Sequence, residues 1–516
     1  MKNINIFLTY FILSILLLSF ASCQKEYEMR PPSTAPYTKL PDDLPDVGNI
    51  HTYKAPLYWS TYGFNRAGSR AGKASNDCLP TKEEYSQILD WLQENFVPYG
   101  YDLICTDGWG NFNNIDENHP YTTSRGSGKT EVEIKWLVDE ANKRGIKTGI
   151  YDSPLWYNCD PEKLIPGTSY TVGSLAFDPE KDYSEHKPDH EVNSYNWIIY
   201  NHPGALEYIE GFFKHYNDLG VKMIRIDFLL CYEDGWSRID YDWNGYGYGR
   251  VNYARALGKV AQEAKKHGIF TSLVMPNLYN NAEVEGCYGN MARITGDAWD
   301  GTWTITSSNY RGQSWFNFPN CRNQFDGFTY WNHVMGGKDR IIPDGDPLML
   351  HTYASDAECE FAVSLQLIAG GPVVIGDLPW DKGIENRIRF FQNKEMLALN
   401  ADRFCAHPLD SKINSEGSNI WYGKMSDGTP IVAFFNRDDS ARTRTLKLKD
   451  VGLDGEWYVR DLWQHRTETT KKNELSYTLG AHSCKIMKLS RTIPEENNSS
   501  DIDSSINDAV HEEWNY

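Results

Sequence analysis

The sequence predicts an α/β protein, a (β/α)8 TIM barrel followed by a C-terminal antiparallel β-sandwich. Three observations carry the prediction. Helix-like stretches that end on Gly alternate with single short apolar runs, the pattern of βα units around a parallel sheet. Eight such runs lie between Pro56 and Asp377, the number that a closed barrel needs. Beyond about Cys405 the texture changes to alternating apolar and polar residues between Asp-Gly and Gly turns, as expected of antiparallel strands with one buried face.

The chain opens on Lys2 and an apolar run from Ile6 to Phe20, then "FASC" ending at Cys23. A short apolar core followed by small residues is the pattern of a secretory signal. Small residues before a cysteine are similar to the lipobox of bacterial lipoproteins. Residues 1–22 are therefore expected to be a signal peptide, Cys23 a lipidated N-terminus, and residues 23–50, rich in Pro, Asp and Lys, a tether. The protein is expected to be exported and anchored through lipid in the bacterial cell envelope, at the outer membrane.

Residues 51–403 carry the barrel. "PLYWSTY" from Pro56 is its first strand. "TKEEYSQILDWLQENFVPYG" opens with a capping box, Thr81 and Glu84, and sets Ile88, Leu89 and Leu92 on one stripe before Gly100 and "YDLICTD". "TEVEIKWLVDEANKRG" repeats the plan, with Thr130 and Glu133 ahead of Ile134, Leu137, Val138 and Ala141, and leads into "IKTGIYD". "PGALEYIEGFFKHYNDLG" passes through Gly220 into "VKMIRID", and "NYARALGKVAQEAKKHG" through Gly268 into "IFTSLVMP". The remaining strands are placed at "ARITGD" from Ala292, "FTYWN" from Phe328 and "GPVVIGD" from Gly371, the last preceded by a helix boxed by Ser355 and Glu358. Residues 404–491 form the sandwich. Residues 492–516 are acidic and weakly apolar, the composition of a disordered tail.

Composition narrows the function. A net charge of −19 argues against nucleic acid or an anionic membrane surface as partner. Aromatic residues make up 14% of the chain, many in Gly, Asn and Asp-rich loops such as "DWNGYGYGR", and suit flat ligands with one apolar face, such as sugar rings. The 10 cysteines include no CxxC pair, so no disulfide framework is expected; Cys105 and Cys231, in or beside apolar runs, read as small buried hydrophobes. "GSGKT" (126–130) lacks the first Gly of a phosphate loop, Thr123 standing there, and follows no strand. "DYDWNG" (240–245) opens like a calcium loop but carries Val251 where the bidentate Glu belongs. HExxH and GxSxG are absent from the sequence, which disfavours the common zinc peptidase and serine hydrolase chemistries.

The carboxylates are more telling. Four predicted strands end on or near Asp107, Asp152, Asp227 and Asp297, and barrel active sites lie at the C-terminal ends of the strands. Two carboxylates from different strands suit glycoside cleavage, one attacking the anomeric carbon while the other protonates the leaving oxygen. Arg293, four residues before Asp297, can hold substrate oxygens or keep a carboxylate charged.

In order along the chain, "PLYWSTYGFN", "YDLICTDGW", "GIKTGIYD", "KMIRID", "RITGD", "GDPLML", "GGPVVIGDLP", "YVRDLW" and "LGAHSCKIMKL" together resemble glycoside hydrolase family 27, the α-galactosidase family of retaining α-glycosidases. The resemblance runs from about Pro56 to Leu489. It implies Asp227 as nucleophile and Asp297 as acid/base in a double displacement. It also implies Asp107, Trp109, Arg225, Arg293, Trp59, Tyr151 and Asn277 as substrate contacts, an oligo- or polysaccharide as substrate, and no metal or organic cofactor.

Departures from the family pattern fall on the sugar contacts. Thr106 replaces the first of two adjacent Asp residues, Arg225 a Lys, and Leu348 an Asp; the Cys-Glu-Trp type segment after the fifth strand gives way to Pro276 and Asn277. Hydroxyl contacts discriminate most strongly among sugars. α-D-Galactosides are the first expectation, with β-L-arabinopyranosides and isomaltodextranase-type α-glucans as alternatives, and a non-catalytic glycan-binding lipoprotein as a reading from another class.

Overall fold

The computed structural model describes residues 39–65, 80–106, 120–121, 132–157, 159–176, 196–233, 248–298, 301–307, 321, 323–470 and 473–492. Cys23, Asp107, Trp109, Thr130 and the two rejected loops at 126–130 and 240–245 lie outside the described residues.

Eight parallel strands form the barrel: β1 (Leu57–Ser60), β2 (Leu103–Cys105), β3 (Lys147–Tyr151), β4 (Val221–Ile226), β5 (Phe270–Leu273), β6 (Met291–Arg293), β7 (Ile342–Asp344) and β8 (Val373–Ile375). Their order is β8-β1-β2-β3-β4-β5-β6-β7. Leu348 closes the ring: its N–H donates to the Val374 carbonyl and its own carbonyl accepts from Gly376, each at 2.8 Å. Alternate residues fill the interior, with Tyr58, Leu103, Cys105, Met223, Phe270, Met291, Ile342 and Val374 in one apolar cluster. Their neighbours, among them Leu57, Ile104, Ile224, Ala292, Val373 and Ile375, join the outer core beneath the helices, as does Val221, ahead of a register shift between β3 and β4. This is the two-residue period of a strand applied eight times.

Helices α1 (Lys82–Asn95), α2 (Ile134–Asn142), α3 (Ala205–Leu219) and α4 (Arg250–Lys266) follow the expected stripes. The Thr81–Glu84 capping box of α1 is formed on both sides, and Tyr85, Ile88, Leu89 and Leu92 are its buried face. Gly100 and Gly220 turn the chain from helix into strand at φ 89° and 93°, a conformation that costs glycine little and other residues more.

Two expectations are corrected. "FTYWN" is not the seventh strand; it lies in helix α5 (Gln324–Trp331), capped by the Asn323 side chain, which accepts from the Asp326 N–H. Nearly every side chain of α5 is buried, and a helix buried on nearly every side reads like a buried strand over so few residues. The strand is Ile342–Asp344 instead. Residues 39–50 do not hang free as tether: Val47 and Ile50 are buried, Lys265 Nζ of α4 donates to the Val47 carbonyl at 2.7 Å, and Tyr288 Oη donates to the Pro45 carbonyl at 3.0 Å.

After α6 (Asp356–Ile368) and α7 (Lys394–Ala401) comes the sandwich. It comprises β9 (His407–Pro408), β10 (Ile420–Lys424), β11 (Pro430–Asn436), β12 (Arg442–Lys447), β13 (Trp457–Asp461), β14 (Arg466–Thr470), β15 (Glu474–Leu479) and β16 (Ser483–Ser490). One sheet runs β9-β10-β11-β16-β13-β14 and faces the pair β12-β15. Val432 and Phe434 of β11 enter the sandwich core, whereas Ile431, Ala433 and Phe435 enter the barrel's outer core. Just past β11, Arg437 pairs with Asp326 of α5 at 2.8 Å, both all but fully buried, and its guanidinium lies 4.2 Å from the Phe325 ring centroid.

The strand-end carboxylates do not all converge. Asp152 follows the interior residue Tyr151 and so turns the other way, buried, accepting from Tyr216 Oη at 2.6 Å, Ser153 N at 2.8 Å and Trp156 Nε1 at 3.0 Å. Burial pushes its carboxyl up to about 7 against the pull of those hydrogen bonds. Native protein therefore binds more protons than unfolded chain between the ordinary value of 3.8 and about 7, and stability falls as pH rises through that window.

Two outcomes are expected. Asp152→Asn flattens the fall in urea midpoint between about pH 4 and about pH 8. Arg437→Met removes the buried Arg437–Asp326 ion pair and lowers unfolding free energy by about 3–5 kcal/mol, measured by denaturant titration.

Candidate active site

Strand parity assembles the site. Met223 points into the barrel, so Arg225 and Asp227, two and four residues on, point the same way. By the same count Met291 brings Arg293 inward and Ile342 brings Asp344. Gly149, where a Cβ would meet Met223 and Cys105, puts Tyr151 on the interior side as well. The C-terminal end of the barrel is thus lined by a phenol, two guanidiniums and several carboxylates.

Asp227 stands just past β4 and is partly exposed. Its Oδ2 accepts from Tyr151 Oη at 3.1 Å and its Oδ1 from the Phe228 N–H at 2.6 Å. Phe228 holds a left-handed φ of 56°, a strained conformation for a non-glycine residue. The two donors fix the carboxylate's plane. On the other side of β5, Asp297 follows β6, its side chain 40% exposed, and its Oδ1 accepts from Arg293 Nη2 at 2.7 Å.

Beneath these two lies a buried ion network. Arg225 donates from Nη1 to Asp344 Oδ2 at 3.0 Å and from Nη2 to Asp346 Oδ1 at 3.1 Å. Arg293 Nη1 donates to the same Asp346 oxygen. Asp346 Oδ2 accepts from the Ala298 N–H at 2.7 Å, and Asp344 Oδ1 from the Asp346 N–H at 2.8 Å. Full burial works against the charge on Arg293, but Asp346 and Asp297 overcome it and hold the guanidinium above its usual value.

The expected substrate contacts divide. Tyr151 reaches the site, through Asp227. Arg225 and Arg293 are interior but buried under it, with both Nη groups of each on carboxylates; they organise the acids rather than face the opening. Trp59 has the opposite parity to Tyr58, points outward into the core, and donates Nε1 to the Asp377 carbonyl at 2.8 Å. Asn277 is buried and donates to Glu233 Oε2 at 2.9 Å, beside the Arg250–Glu233 ion pair. Neither Trp59 nor Asn277 lines the opening, a correction that follows from parity in one case and from pairing in the other.

Asp344 and Asp346, which pair with both arginines beneath the site, are residues that the sequence reading passed over. Their signal was present in "IIPDGDP", a short apolar run closing on two acids, and was masked by placing the seventh strand at Phe328. At the end of β8, His351 Nδ1 lies 2.8 Å from Asp377 Oδ1 and 3.1 Å from Asp381 Oδ2. Among the described residues this is the one group with metal-ligand chemistry. Its atoms are already engaged: Asp377 also accepts from the Leu350 and His351 N–H groups at 2.9 and 2.8 Å, and Asp381 from Leu378 N at 2.7 Å. It reads as a hydrogen-bonded cluster that pins the end of β8.

Residues 415–489 match the alpha galactosidase C-terminal beta sandwich domain. The chain is 34% identical over 425 residues to the isomalto-dextranase of Arthrobacter globiformis, a match covering 80% of this chain and 63% of that enzyme. It is 27% identical over 230 residues to alpha-galactosidase 2 of Arabidopsis thaliana, covering 43% of this chain and 52% of the plant protein. The chain thus spans less than two thirds of either relative. The solved structure of the Arthrobacter globiformis isomalto-dextranase with panose superimposes with a TM-score of 0.74 at 29% identity, over 88% of this chain and 76% of that one. A family 27 β-L-arabinopyranosidase from Geobacillus stearothermophilus shares the fold, with a TM-score of 0.62 at 18% identity, over 86% of this chain and 97% of its own. By barrel and sandwich together, the chain shares its fold with these glycoside hydrolases.

Proposed function

We propose that the protein is a retaining, exo-acting α-glycosidase in which Asp227 is the nucleophile and Asp297 the acid/base. The observation that carries this reading is one of exposure. Among the described carboxylates inside the barrel's C-terminal end, Asp344 and Asp346 are sealed, whereas Asp227 and Asp297 stay open on either side of β5. Asp227, oriented by Tyr151 and the Phe228 N–H, attacks the anomeric carbon and forms a glycosyl ester. Asp297 gives its proton to the departing oxygen and then takes one from the water that cleaves the ester.

For the sugar, an α-glucan of the isomalto-dextranase type is favoured over an α-galactoside. The match to that enzyme runs over 425 residues, against 230 for the plant α-galactosidase. Two features of the site agree. Arg225, where the resemblance implies a Lys, is tied to Asp344 and Asp346. Leu348, where it implies an Asp, is buried in the strand bridge that closes the barrel. Losing paired hydroxyl contacts removes the strongest source of discrimination for galactose.

We further propose that Cys23 carries lipid and anchors the protein in the cell envelope, on the strength of the apolar run Ile6 to Phe20 and the small residues before the cysteine.

Nitrophenyl α-D-glucoside, α-D-galactoside and β-L-arabinopyranoside, together with isomaltosaccharides, test the reading on protein lacking the first 22 residues. Turnover of the glucan substrates is expected, with the product first released in the substrate's anomeric form by NMR. Asp227→Ala loses a factor on the order of 10⁴ or more, and Asp297→Ala loses 10²–10⁴-fold, on the scale of a general acid, on unactivated leaving groups. Absence of turnover on every sugar sinks the proposal. For the anchor, radiolabelled palmitate is expected on the full-length wild type and not on Cys23→Ala, by gel autoradiography.

A further inference from the structure

Asp297 must hold a proton to act as the acid, yet it accepts from a guanidinium at 2.7 Å. Such a neighbour ordinarily keeps a carboxyl ionised. The residue that offsets it is Asp346. Its Oδ1 accepts from both arginines, Arg225 Nη2 at 3.1 Å and Arg293 Nη1. Its Oδ2 accepts from the N–H of Ala298, the residue next to Asp297, at 2.7 Å. Asp346 itself takes a left-handed φ of 71°, strain that these contacts must hold in place.

Charge counting gives the consequence. Arg225 from β4 and Arg293 from β6 bring two positive charges; Asp344 from β7, Asp346 and Asp297 bring three carboxyls. The four buried groups, Arg225, Arg293, Asp344 and Asp346, balance to zero, so no net positive charge beneath the more exposed Asp297 holds it ionised. We infer, on the strength of the function proposed above, that Asp346 is a positioning residue that neutralises Arg293 and anchors the Ala298 backbone, so that Asp297 can carry the reaction's proton. Burial pushes the Asp346 carboxyl up to about 7 while Arg293 and Arg225 pull it down, and Asp297 and Asp344 raise it further.

Removing the negative charge in Asp346→Asn leaves Arg293 uncompensated beside Asp297. The basic limb of the kcat/KM profile is then expected to move down by about one pH unit or more, the scale of one adjacent charge on a carboxyl. The loss is expected to be greater on an unactivated glycoside than on a dinitrophenyl one, whose leaving group needs no acid. Asp346→Glu, which keeps the charge, restores the limb. Arg225→Gln removes a positive charge from the same network and is expected to move the limb up, so the inference is tested even where Asp346→Asn does not fold, as judged by thermal unfolding. An unmoved limb in either folded variant, or equal losses on the two leaving groups, overturns it. Wild type that hydrolyses no glycoside refutes the proposed function itself; active wild type with an unmoved limb refutes only the role of Asp346.

Discussion

The two-residue period of the barrel strands is the constraint on which the rest depends. Once Met223, Met291 and Ile342 fill the interior, the chain has no freedom over where Arg225, Arg293 and Asp344 point. Each of these three strands delivers an apolar residue to the packed layer and, two positions later, a charged one to the layer above. A register slip of a single residue would put Ile224 and Ile226 inside and turn both Arg225 and Asp227 into the helices. Core packing therefore sets which way the charged residues point, and the hydrogen bonds from Tyr151, Phe228 and Arg293 then fix the carboxylates.

Bringing four charges under the site has an energetic cost that pairing offsets. Arg225, Arg293, Asp344 and Asp346 are almost without solvent contact, and ions in such surroundings are tolerated only when every partner is present. Arginine meets that condition better than lysine here, because its planar fork reaches Asp344 and Asp346 at once. The arrangement gains rigidity more surely than stability. It holds Asp297 through Arg293 and through the Ala298 backbone, and on the proposed mechanism a proton donor needs its orientation fixed to within a fraction of an ångström.

Much of this was legible in the sequence, for physical reasons that differ by element. The capping box at Thr81 and the stripe Ile88, Leu89, Leu92 are local patterns and stand as expected. So does the alternation after Cys405, because a sheet with one buried face writes its period directly into the chain. "FTYWN" failed because α5 is buried on nearly every side, which erases the helical period that would have revealed it. That single misplacement concealed Asp344 and Asp346, since acids at a strand's end carry a meaning that acids in a loop do not. Trp59 failed differently. An aromatic residue in a first strand can face the pocket or the helices with equal ease, and only the parity set by Tyr58 decides between them.

Strand β11 shows why barrel and sandwich are best regarded as one folding unit. Its residues alternate between two cores, Val432 and Phe434 on one side and Ile431, Ala433 and Phe435 on the other, so neither face is free to be exposed if the domains part. The α5 helix takes the opposing role, presenting Phe325 and Asp326 to Arg437 while Gln324 Nε2 donates to the Gly345 carbonyl at 2.7 Å. Gly345 separates Asp344 from Asp346. A path of packed and hydrogen-bonded groups thus runs from the sandwich, through α5, to the backbone between the two buried acids. Disturbance of the sandwich face would be felt first where the carboxylates are held, which gives a remote β-domain a physical reason to travel with the barrel that holds the proposed site.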